Sequence, residues 1–308
     1  MKLDNVLVLG GSGFIGRHLT AELVRRGMRV TAPARRRERA KHLILLPTVD
    51  VVEADISQHD VLERLARGQD AVINLVGILH GDFERAHAEL PLAIVGACRA
   101  AGVKRLLHMS ALGASPDAPS EYQRTKAKGE QAVLGAEDLH VTVFRPSVVF
   151  GPEDKFLNRF ATMARLLPVL AVPCPSARFQ PVYVGDVARA MAVALADTET
   201  YGQRYDLGGP QEYTLKQLVE LVCLFTHRRR LVIGLPPRLS YLQAWMLEHL
   251  PGKLMTRDNY RSMQVPNTTN AEWPLGAERH SLEAIAPAYL APSGPRERYP
   301  QLRWRARR

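Results

Sequence analysis

Cysteine is scarce in this chain, with 3 residues in 308. Cys98, Cys174 and Cys223 lie far apart, no C-x-x-C pair occurs, and no histidine stands at the spacing of a zinc ligand. Small secreted domains depend on many disulfides, and structural zinc sites use closely spaced cysteine and histidine. The sequence therefore predicts three buried thiols in a reducing compartment, with neither a disulfide framework nor a metal site.

Long apolar runs are also lacking. No stretch approaches the roughly 20 apolar residues that a membrane-spanning helix requires. The N-terminal apolar run is short, is interrupted by glycines and has no cleavage-site pattern, so a signal peptide is not predicted. We expect a cytoplasmic protein, peripheral to the inner face of the membrane if its C-terminal part contacts lipid.

Acidic residues are fewer than basic ones, 31 against 41, and the formal net charge is +10 at pH 7. This charge favours anionic partners: nucleotide phosphates, nucleic acid or an acidic membrane surface. No nucleic-acid-binding motif occurs, so nucleic acid is not predicted. Basic residues cluster at 35–41, 228–230 and 303–308, and the last cluster is predicted to be a frayed, solvated tail.

Glycine is concentrated near the N-terminus. The apolar run 6–9 breaks into glycines and an apolar-periodic stretch follows, which predicts a strand, a tight turn and a helix. The glycines fit both G-x-G-x-x-G and G-x-x-G-x-x-G, and such a turn with its helix start suits a pyrophosphate. An ordinary glycine-rich turn is the alternative, but a position at the start of a βα unit favours a dinucleotide. The predicted cofactor-binding residues here are Gly10, Gly11, Ser12, Gly13, Phe14, Ile15 and Gly16.

Apolar strands then alternate with amphipathic helices. Further strands are predicted at 29–32, 49–53, 71–76, 104–109 and 141–144, with helices over about 84–101 and 120–135. Strands that are apolar throughout are typical of a parallel sheet covered on both faces. We therefore predict an α/β fold: a doubly wound parallel sheet of the Rossmann type, with its ligand crevice at the carboxyl ends of the strands.

The pattern changes beyond residue 152, where prolines become frequent and strands isolated. We predict that residues 1–150 form the dinucleotide-binding Rossmann domain, rejoined by 182–208. Residues 151–181 and 209–308 are predicted to form a smaller lobe that completes a substrate pocket or contacts a partner.

An amphipathic stripe runs through 235–250 of that lobe, with basic residues nearby. We interpret it as core; the alternative is contact with a membrane surface, a quinone or a partner. The stripe consists of Leu239, Leu242, Trp245, Met246, Leu247 and Leu250.

The end of the second strand indicates which dinucleotide is bound. An NAD site usually has an acidic residue there for the ribose 2′-hydroxyl, whereas a 2′-phosphate requires arginine. This chain has Arg35, Arg36 and Arg37, with no carboxylate before Glu38. Because guanidinium binds phosphate through two charge-assisted hydrogen bonds, NADP(H) is preferred to NAD(H), with Arg35 and Arg36 as ligands. A solvated basic turn is the alternative.

Tyr122, Lys126 and Ser110 are candidates for an acid/base site. Tyr122 and Lys126 stand four apart on a predicted helix and so share one face. A neighbouring ammonium stabilises a phenolate and lowers the tyrosine pKa, which makes the pair a candidate general acid/base. Ser110, at the end of the fifth strand, is placed to hydrogen-bond a substrate oxygen, although a turn-forming or capping serine is the alternative.

Together these motifs resemble an extended or atypical short-chain dehydrogenase/reductase of the epimerase/dehydratase type. The resemblance implies that Tyr122 is the catalytic acid/base and that Lys126 holds the nicotinamide ribose and lowers the pKa of the tyrosine. It also implies that Asp55 and Ile56 lie beside the adenine. The segments after the fourth and sixth strands would line the cofactor through Asn74, Leu75, Val76, Gly77, Pro146 and Val148.

Segments 121–130, 144–158 and, less specifically, 254–259 are similar to the bacterial relatives of the NAD(P)-binding accessory subunit of mitochondrial respiratory complex I. That resemblance implies a bound NADPH with a structural role. No mitochondrial targeting segment is visible, so membership of such a complex is not inferred. The chain also departs from sugar-nucleotide epimerases, because only Ser110 carries a hydroxyl where they have a hydroxyl-rich run; Ala111 or Leu112 could take the catalytic position.

Two functions follow. The first is an NADP(H)-dependent oxidoreductase that moves hydride to or from a carbonyl or alcohol carbon of a small molecule, quinone-like or nucleotide-sugar-like. The alternative is a non-catalytic NADP(H)-holding structural or assembly factor that contacts a respiratory complex or membrane through its C-terminal lobe. A redox-sensing regulator ranks last, because such proteins usually lack the Tyr/Lys pair.

Overall fold

The computed structural model describes residues 3–250, 252, 254–276 and 278–291. The strands, in chain order, are β1 (Asn5–Leu9), β2 (Arg29–Ala34), β3 (Val49–Glu53), β4 (Ala71–Asn74), β5 (Arg105–Met109), β6 (His140–Pro146), β7 (Val149–Phe150), β8 (Val169–Val172), β9 (Arg178–Phe179), β10 (Val182–Tyr183), β11 (Arg204–Leu207), β12 (Tyr213–Thr214) and β13 (Leu231–Gly234). The helices are α1 (Phe14–Arg25), α2 (Lys41–Ile44), α3 (His59–Ala66), α4 (Leu90–Ala101), α5 (Glu121–Leu134), α6 (Leu157–Leu166), α7 (Val184–Ala196), α8 (Leu215–Phe225), α9 (Pro237–Glu248), α10 (Arg257–Ser262) and α11 (Leu282–Leu290).

The main sheet has seven strands in the order β11-β6-β5-β4-β1-β2-β3. All neighbouring strands in it pair in parallel. The strand order reverses between β1 and β4, and ligands of such sheets bind at the carboxyl ends beside this point. The predicted doubly wound parallel sheet is confirmed.

Helices cover both faces of the sheet, as the apolar strands require. Val6 and Val8 of β1 belong to a core with residues of α1 and α7. Leu7 and Leu9 face the other way, into a core with residues of α3, α4 and α5. Because successive strand residues alternate between faces, an all-apolar strand buries side chains in both layers.

Residues beyond β6 form small two-stranded sheets. β10 pairs with β7, β12 with β9, and β13 with β8, while α6 and α8 share two apolar clusters beside them. β11 returns to the main sheet and pairs with β6. The division into two lobes at the boundaries given above stays a prediction.

Some expectations need correction. The helix expected from residue 84 begins with a π-helical segment, Arg85–Glu89, before α4. Cys98 and Cys223 are buried, but Cys174 is partly exposed. In the part of the chain that the structure describes, no helix is long and apolar enough to cross a membrane. The arginines expected to form a solvated tail, at 303–308, lie outside the described residues.

The interpretation of the 235–250 stripe as core is wrong. In α9 the buried residues are Ser240 and Ala244, which are small, whereas the large apolar side chains of the stripe face outward. The exposed ones are Leu239, Leu242, Trp245, Met246 and Leu250, each 46–56% exposed, and Leu247 is partly buried.

Candidate functional site

The glycine-rich turn between β1 and α1 is shaped for close approach to a ligand. Gly10 has a φ of +82°, in the left-handed region, and the Gly13 N–H donates to the Gly10 carbonyl at 2.9 Å. A Cβ on Gly16 would lie 2.2 Å from the Gly10 oxygen and 2.6 Å from the Gly11 Cα, so the turn can close only with glycine at this position. Ser12, Phe14 and Ile15 are partly buried around it.

The first turn of α1 leaves its backbone donors free. Gly13 caps the helix without a side-chain hydrogen bond, and no acidic residue stands in the first turn. The N–H groups that open a helix have no intrahelical partner, and together with the helix dipole they attract an anion. Gly13 is exposed, so this end of α1 is open to solvent. These features fit the pyrophosphate of a dinucleotide.

Arg35 and Arg36 directly follow β2 and are exposed. Within the described ranges neither guanidinium forms an ion pair, so both are free to bind a phosphate. Asp55 lies beyond the end of β3, where its Oδ1 accepts a hydrogen bond from the Ser57 N–H at 3.1 Å. This bond, followed by the positive charges of Arg35 and Arg85, lowers the pKa of Asp55. Ile56, next in the chain, is partly buried.

The loop after β4 is fixed by buried polar contacts. The Asn74 Oδ1 accepts from the Val76 N–H at 3.0 Å, and the Asn74 amide nitrogen lies 3.1 Å from the His108 Nδ1. The Leu75 N–H donates to the Leu9 carbonyl at 2.9 Å. The Asn74 side chain, expected to line the cofactor, is thus engaged in holding the loop.

Lys126 is buried on α5, whose N-cap is Ser120. Its Nζ donates to the Met109 carbonyl at 3.0 Å and to the Val76 carbonyl at 3.5 Å. A Cβ on Gly77 would lie 3.3 Å from the same Nζ, so the ammonium lies directly against the exposed loop after β4. Burial lowers the pKa of Lys126 to about 8.

Tyr122 lies one helical turn before Lys126, with its ring edge-on to Phe83 and His87. Its hydroxyl forms no hydrogen bond with any other described residue. Burial raises the pKa of Tyr122 to about 12. The expected lowering of this pKa by Lys126 is not found, because the ammonium bonds to backbone carbonyls and burial dominates; Tyr122 keeps its proton at neutral pH.

Ser110 follows β5 directly, and its N–H donates to the Phe144 carbonyl at 2.7 Å. Its Oγ is buried and has no hydrogen-bond partner among the described residues. Ala111 and Leu112 are also buried, and the Leu112 N–H donates to the Pro146 carbonyl at 3.0 Å. An unpartnered buried hydroxyl is costly, so a ligand oxygen that bonds to Ser110 would be stabilised there.

Pro146 is buried at the end of β6, and Val148 follows it. The Val148 N–H donates to the Asn267 Oδ1 at 3.0 Å, and the Ser147 hydroxyl donates to the same oxygen at 2.7 Å. Asn267 also donates to the Leu112 carbonyl at 3.3 Å. The C-terminal part of the chain is therefore bonded to the carboxyl ends of β5 and β6, a contact that sequence reasoning missed.

His87 is a second missed residue. Its Nε2 accepts from the Ile78 N–H at 3.0 Å, and its Nδ1 lies 3.2 Å from the Thr125 Oγ1 on α5. Its ring stacks on Phe83 and meets the Tyr122 ring edge-on. Burial, followed by the charge of Lys126, lowers the pKa of His87 to about 3, so the ring is neutral at physiological pH. His87 thus ties the loop after β4 to the helix that carries the Tyr/Lys pair.

Asp258 is a third. Its carboxylate accepts from the N–H groups of Glu121 at 2.7 Å and Tyr122 at 3.2 Å, at the start of α5. A carboxylate is favourable at a helix N-terminus. The only sequence signal for this residue was its place in the 254–259 resemblance. α10 therefore supports the helix that carries Tyr122.

Comparisons with known proteins identify the family of the chain. The model of the NAD dependent epimerase/dehydratase family matches residues 6–208. The chain is 36% identical to "NADH dehydrogenase [ubiquinone] 1 alpha subcomplex subunit 9, mitochondrial" of Mus musculus over 301 residues, covering 90% of this chain and 77% of the mouse protein. It is 32% identical to a ceramide reductase of Caulobacter vibrioides, covering 64% of this chain and 62% of the reductase.

Among solved structures, a dTDP-glucose 4,6-dehydratase from Streptomyces venezuelae with NAD bound superposes with a TM-score of 0.66 at 22% identity, covering 77% of this chain and 85% of the dehydratase. At that identity the likeness supports the fold. The family match extends over most of the main sheet, from β1 to β11. The chain belongs to the NAD dependent epimerase/dehydratase family.

Proposed function

We propose that this protein is an NADP(H)-dependent reductase that transfers hydride between the cofactor and a carbonyl or alcohol carbon. The observation that carries the proposal is the unpartnered hydroxyl of Ser110, next in the chain to the Met109 carbonyl that binds the buried Lys126 ammonium. Tyr122 lies one helical turn before Lys126, and its hydroxyl also forms no hydrogen bond with a described residue. A purely structural site would be expected to satisfy both hydroxyls internally, as it satisfies the Lys126 ammonium.

The residues present fit a dinucleotide. The turn at Gly10–Gly16 and the open start of α1 would hold the pyrophosphate, and Asp55 and Ile56 would lie beside the adenine. Arg35 and Arg36 would bind a 2′-phosphate, which supports NADP(H) over NAD(H). Gly77 leaves room beside the Lys126 ammonium for the nicotinamide ribose. When bound, the nicotinamide supplies or accepts the hydride.

Residues of the chain would then protonate and orient the substrate oxygen. Tyr122 is protonated at neutral pH, because burial raises its pKa to about 12, so it is set to donate a proton to a carbonyl oxygen during reduction. Ser110 would bond to the same oxygen and orient it. Lys126 would hold the ribose hydroxyls, and His87 and Asp258 hold the loop and helix on which these groups stand.

The alternative is a protein that holds NADP(H) without turnover and contacts a respiratory complex through its C-terminal lobe. Two observations support it: the 36% identity to the mouse complex I subunit, and the burial of Ala111 and Leu112 beside a single hydroxyl. Both functions require the same cofactor site, so binding alone does not separate them.

A measurement of cofactor turnover distinguishes the reductase from the non-catalytic alternative. Purified protein is incubated with NADPH and a panel of aliphatic, aromatic, quinone and nucleotide-sugar carbonyls, and cofactor oxidation is followed by absorbance. We expect Tyr122→Phe to lower kcat by about 10²- to 10⁴-fold while NADPH affinity stays nearly unchanged, because general acid catalysis contributes about that much. Tyr201→Phe, whose ring stacks on His140 away from the site, is the matched control.

Wild-type protein that binds NADPH but oxidises none with any carbonyl would favour the structural alternative. Equal turnover by wild type and Tyr122→Phe would remove Tyr122 from the mechanism.

A further inference from the structure

The surface of α9 carries its apolar side chains toward solvent. Ser240 and Ala244 pack inward, and the Ser240 hydroxyl accepts from the Cys174 N–H at 3.1 Å and donates to the Leu235 carbonyl at 3.1 Å. The opposite side of the helix is the outer face of α9, defined as Leu239, Leu242, Trp245 and Met246. These side chains are 50%, 48%, 46% and 56% exposed, respectively.

The neighbouring β8–β13 pair also carries exposed apolar residues. Val169 pairs with Leu231 in register, and both are exposed, at 42% and 60%. Ile233, two residues on and therefore on the same side of β13, is 44% exposed. The Gln243 amide donates to the Ala171 carbonyl at 3.2 Å, so α9 lies against this strand pair. Exposed apolar groups gathered on neighbouring elements in this number indicate an interaction site.

The charge beside this surface is positive. Arg228 and Arg229 precede β13, Arg238 lies on α9, and none of the three forms an ion pair within the described part of the chain. Glu248 is the one acidic residue in 226–250, and Arg257 neutralises it through an ion pair at 2.8 Å. The excess of unpaired guanidinium groups is complementary to an anionic partner.

Two occupants from this chain are disfavoured by the same charge. A second copy docked face to face would bring the unpaired arginines of both copies together. Residues 292–308, outside the described part, carry six arginines against one glutamate, so they would meet like charge. An anionic bilayer meets none of this repulsion. Leucine and methionine bury in its apolar boundary, tryptophan and tyrosine favour its interface, and arginine pairs with its headgroups.

We propose that the outer face of α9, with the exposed side of β8–β13 and the flanking arginines, docks peripherally on an anionic lipid bilayer. This proposal gives the chemistry of the contact that is expected for the C-terminal lobe, and it does not require cofactor turnover. α10 joins the two regions: the Tyr260 ring meets the Tyr241 ring of α9 edge-on at 5.5 Å, and Asp258 caps α5. The bilayer contact would thus lie one helix away from the helix that carries Tyr122.

The test is sedimentation of the full chain with phosphatidylcholine vesicles, with or without phosphatidylglycerol, in the absence of cofactor. We expect binding to the anionic vesicles, weakened by added salt, and little binding to pure phosphatidylcholine. Leu242→Glu should lower the partition coefficient by about tenfold or more, since a buried leucine contributes about 1.5–3 kcal/mol. Leu45→Glu is the matched control, because Leu45 is 86% exposed directly after α2, which packs on the edge strand β3, and is not part of the proposed docking face.

Quenching of tryptophan fluorescence by brominated lipid gives a direct readout of insertion, and it should fall in Trp245→Phe. Equal binding by wild type and Leu242→Glu, or no binding to anionic vesicles, would overturn the proposal. So would a wild-type dimer that Leu242→Glu converts to monomer without any vesicle binding, because the face would then be a contact between copies. NADPH oxidation with a water-soluble carbonyl, measured on the same variants, reports separately on the proposed reductase activity.

Discussion

The expected crevice at the carboxyl ends of β4 and β5 and the outer face of α9 lack opposite kinds of contact. The first lacks partners for polar atoms, and the second lacks cover for apolar side chains. At the ends of β4 and β5 the apolar residues Met109, Ala111 and Leu112 are buried, and the Ser110 Oγ lacks a partner among the described residues. On the outer face of α9 the polar contacts are made inward by Ser240, and the large apolar side chains lack cover. Each region lacks the kind of group that its proposed ligand supplies: hydrogen-bonding oxygens in one, hydrocarbon in the other.

The two regions also differ in the contacts that hold them in place. Around the crevice, His87, His108 and Asp258 fix the loop after β4 and the start of α5 through directional hydrogen bonds. α9 packs inward through the small side chains of Ser240 and Ala244, with hydrogen bonds from Ser240 and Gln243. A site for chemistry needs fixed distances, whereas docking on a fluid surface needs area and charge. Substitutions should therefore affect the two regions independently.

Apart from the loss of turnover expected for Tyr122→Phe, the largest expected effect on cofactor binding is that of Gly16→Ala, in the turn between β1 and α1. The added Cβ would lie 2.2 Å from the Gly10 oxygen, which is backbone and cannot move aside cheaply. Overpacking of this kind costs about 1–3 kcal/mol, so we expect a lower Tm and NADPH affinity reduced about 10- to 100-fold. Calorimetric titration measures the affinity, and vesicle binding should not change.

Gly96→Ala is the matched control for that substitution. Gly96 lies in α4, and nothing stands within 4 Å of the position its Cβ would take. Alanine is the better helix former, so this change should raise the free energy of unfolding by about 0.5–1 kcal/mol. A Gly16→Ala protein that bound NADPH as tightly as wild type would contradict the assignment of the turn to the pyrophosphate.

Sequence reasoning succeeded where the signal is local. The β1 strand, the glycine turn and the Tyr122/Lys126 helix face follow from periodicity and turn chemistry within a few residues. The hydrogen bonds at the ends of β4 and β5 join residues far apart in the sequence. Asp258 and Glu121 are separated by 137 residues, and His87 and Thr125 by 38. A single sequence holds no signal for such pairings.

The error at α9 has a different cause. The spacing of Leu239, Leu242 and Met246 correctly predicts that they share a face, but periodicity does not tell whether that face is covered. Burial was assigned to the larger apolar residues, whereas the helix packs through Ser240 and Ala244. Small residues allow close helix contact and carry almost no hydropathy signal, so the pattern indicates the wrong side.

His87→Phe tests whether the rigidity of the crevice depends on the buried histidine. Phenylalanine keeps the ring contacts with Phe83 and Tyr122 but leaves the Ile78 N–H and the Thr125 hydroxyl without their imidazole partner. We expect the free energy of unfolding to fall by about 1–3 kcal/mol in urea titrations, and KM for NADPH to rise more than kcat falls. His80→Phe, on the exposed part of the same loop, should change neither quantity.

Arg35→Gln and Arg36→Gln test the cofactor's identity. Loss of a charge-assisted contact to the 2′-phosphate should weaken NADPH binding about tenfold and leave NADH binding nearly unchanged. Arg67→Gln, at the C-terminal end of α3, removes an equally exposed charge and should have no effect on either cofactor. Equal affinity of the wild type for NADPH and NADH would instead indicate a solvated basic turn.

The smallest expected effect is the pH dependence set by Lys126, and here affinity and stability should move in opposite directions. Burial lowers the pKa of the ammonium from 10.5 to about 8, so it loses its charge as pH rises through about 8, and NADPH affinity should fall severalfold. Between pH 8 and 10.5 the unfolded chain binds more protons at this residue than the folded one. The contribution of Lys126 to the free energy of unfolding of the cofactor-free protein therefore rises with pH across this window. Cofactor titrations and urea unfolding over that range measure both slopes.

Lys126→Arg should flatten the pH dependence of NADPH affinity and of the free energy of unfolding, because guanidinium stays charged. Lys128→Arg is the control: Lys128 is exposed and paired with Glu84, so both slopes should stay as in the wild type. Equal slopes in wild type and Lys126→Arg would show that another group is responsible for the pH dependence.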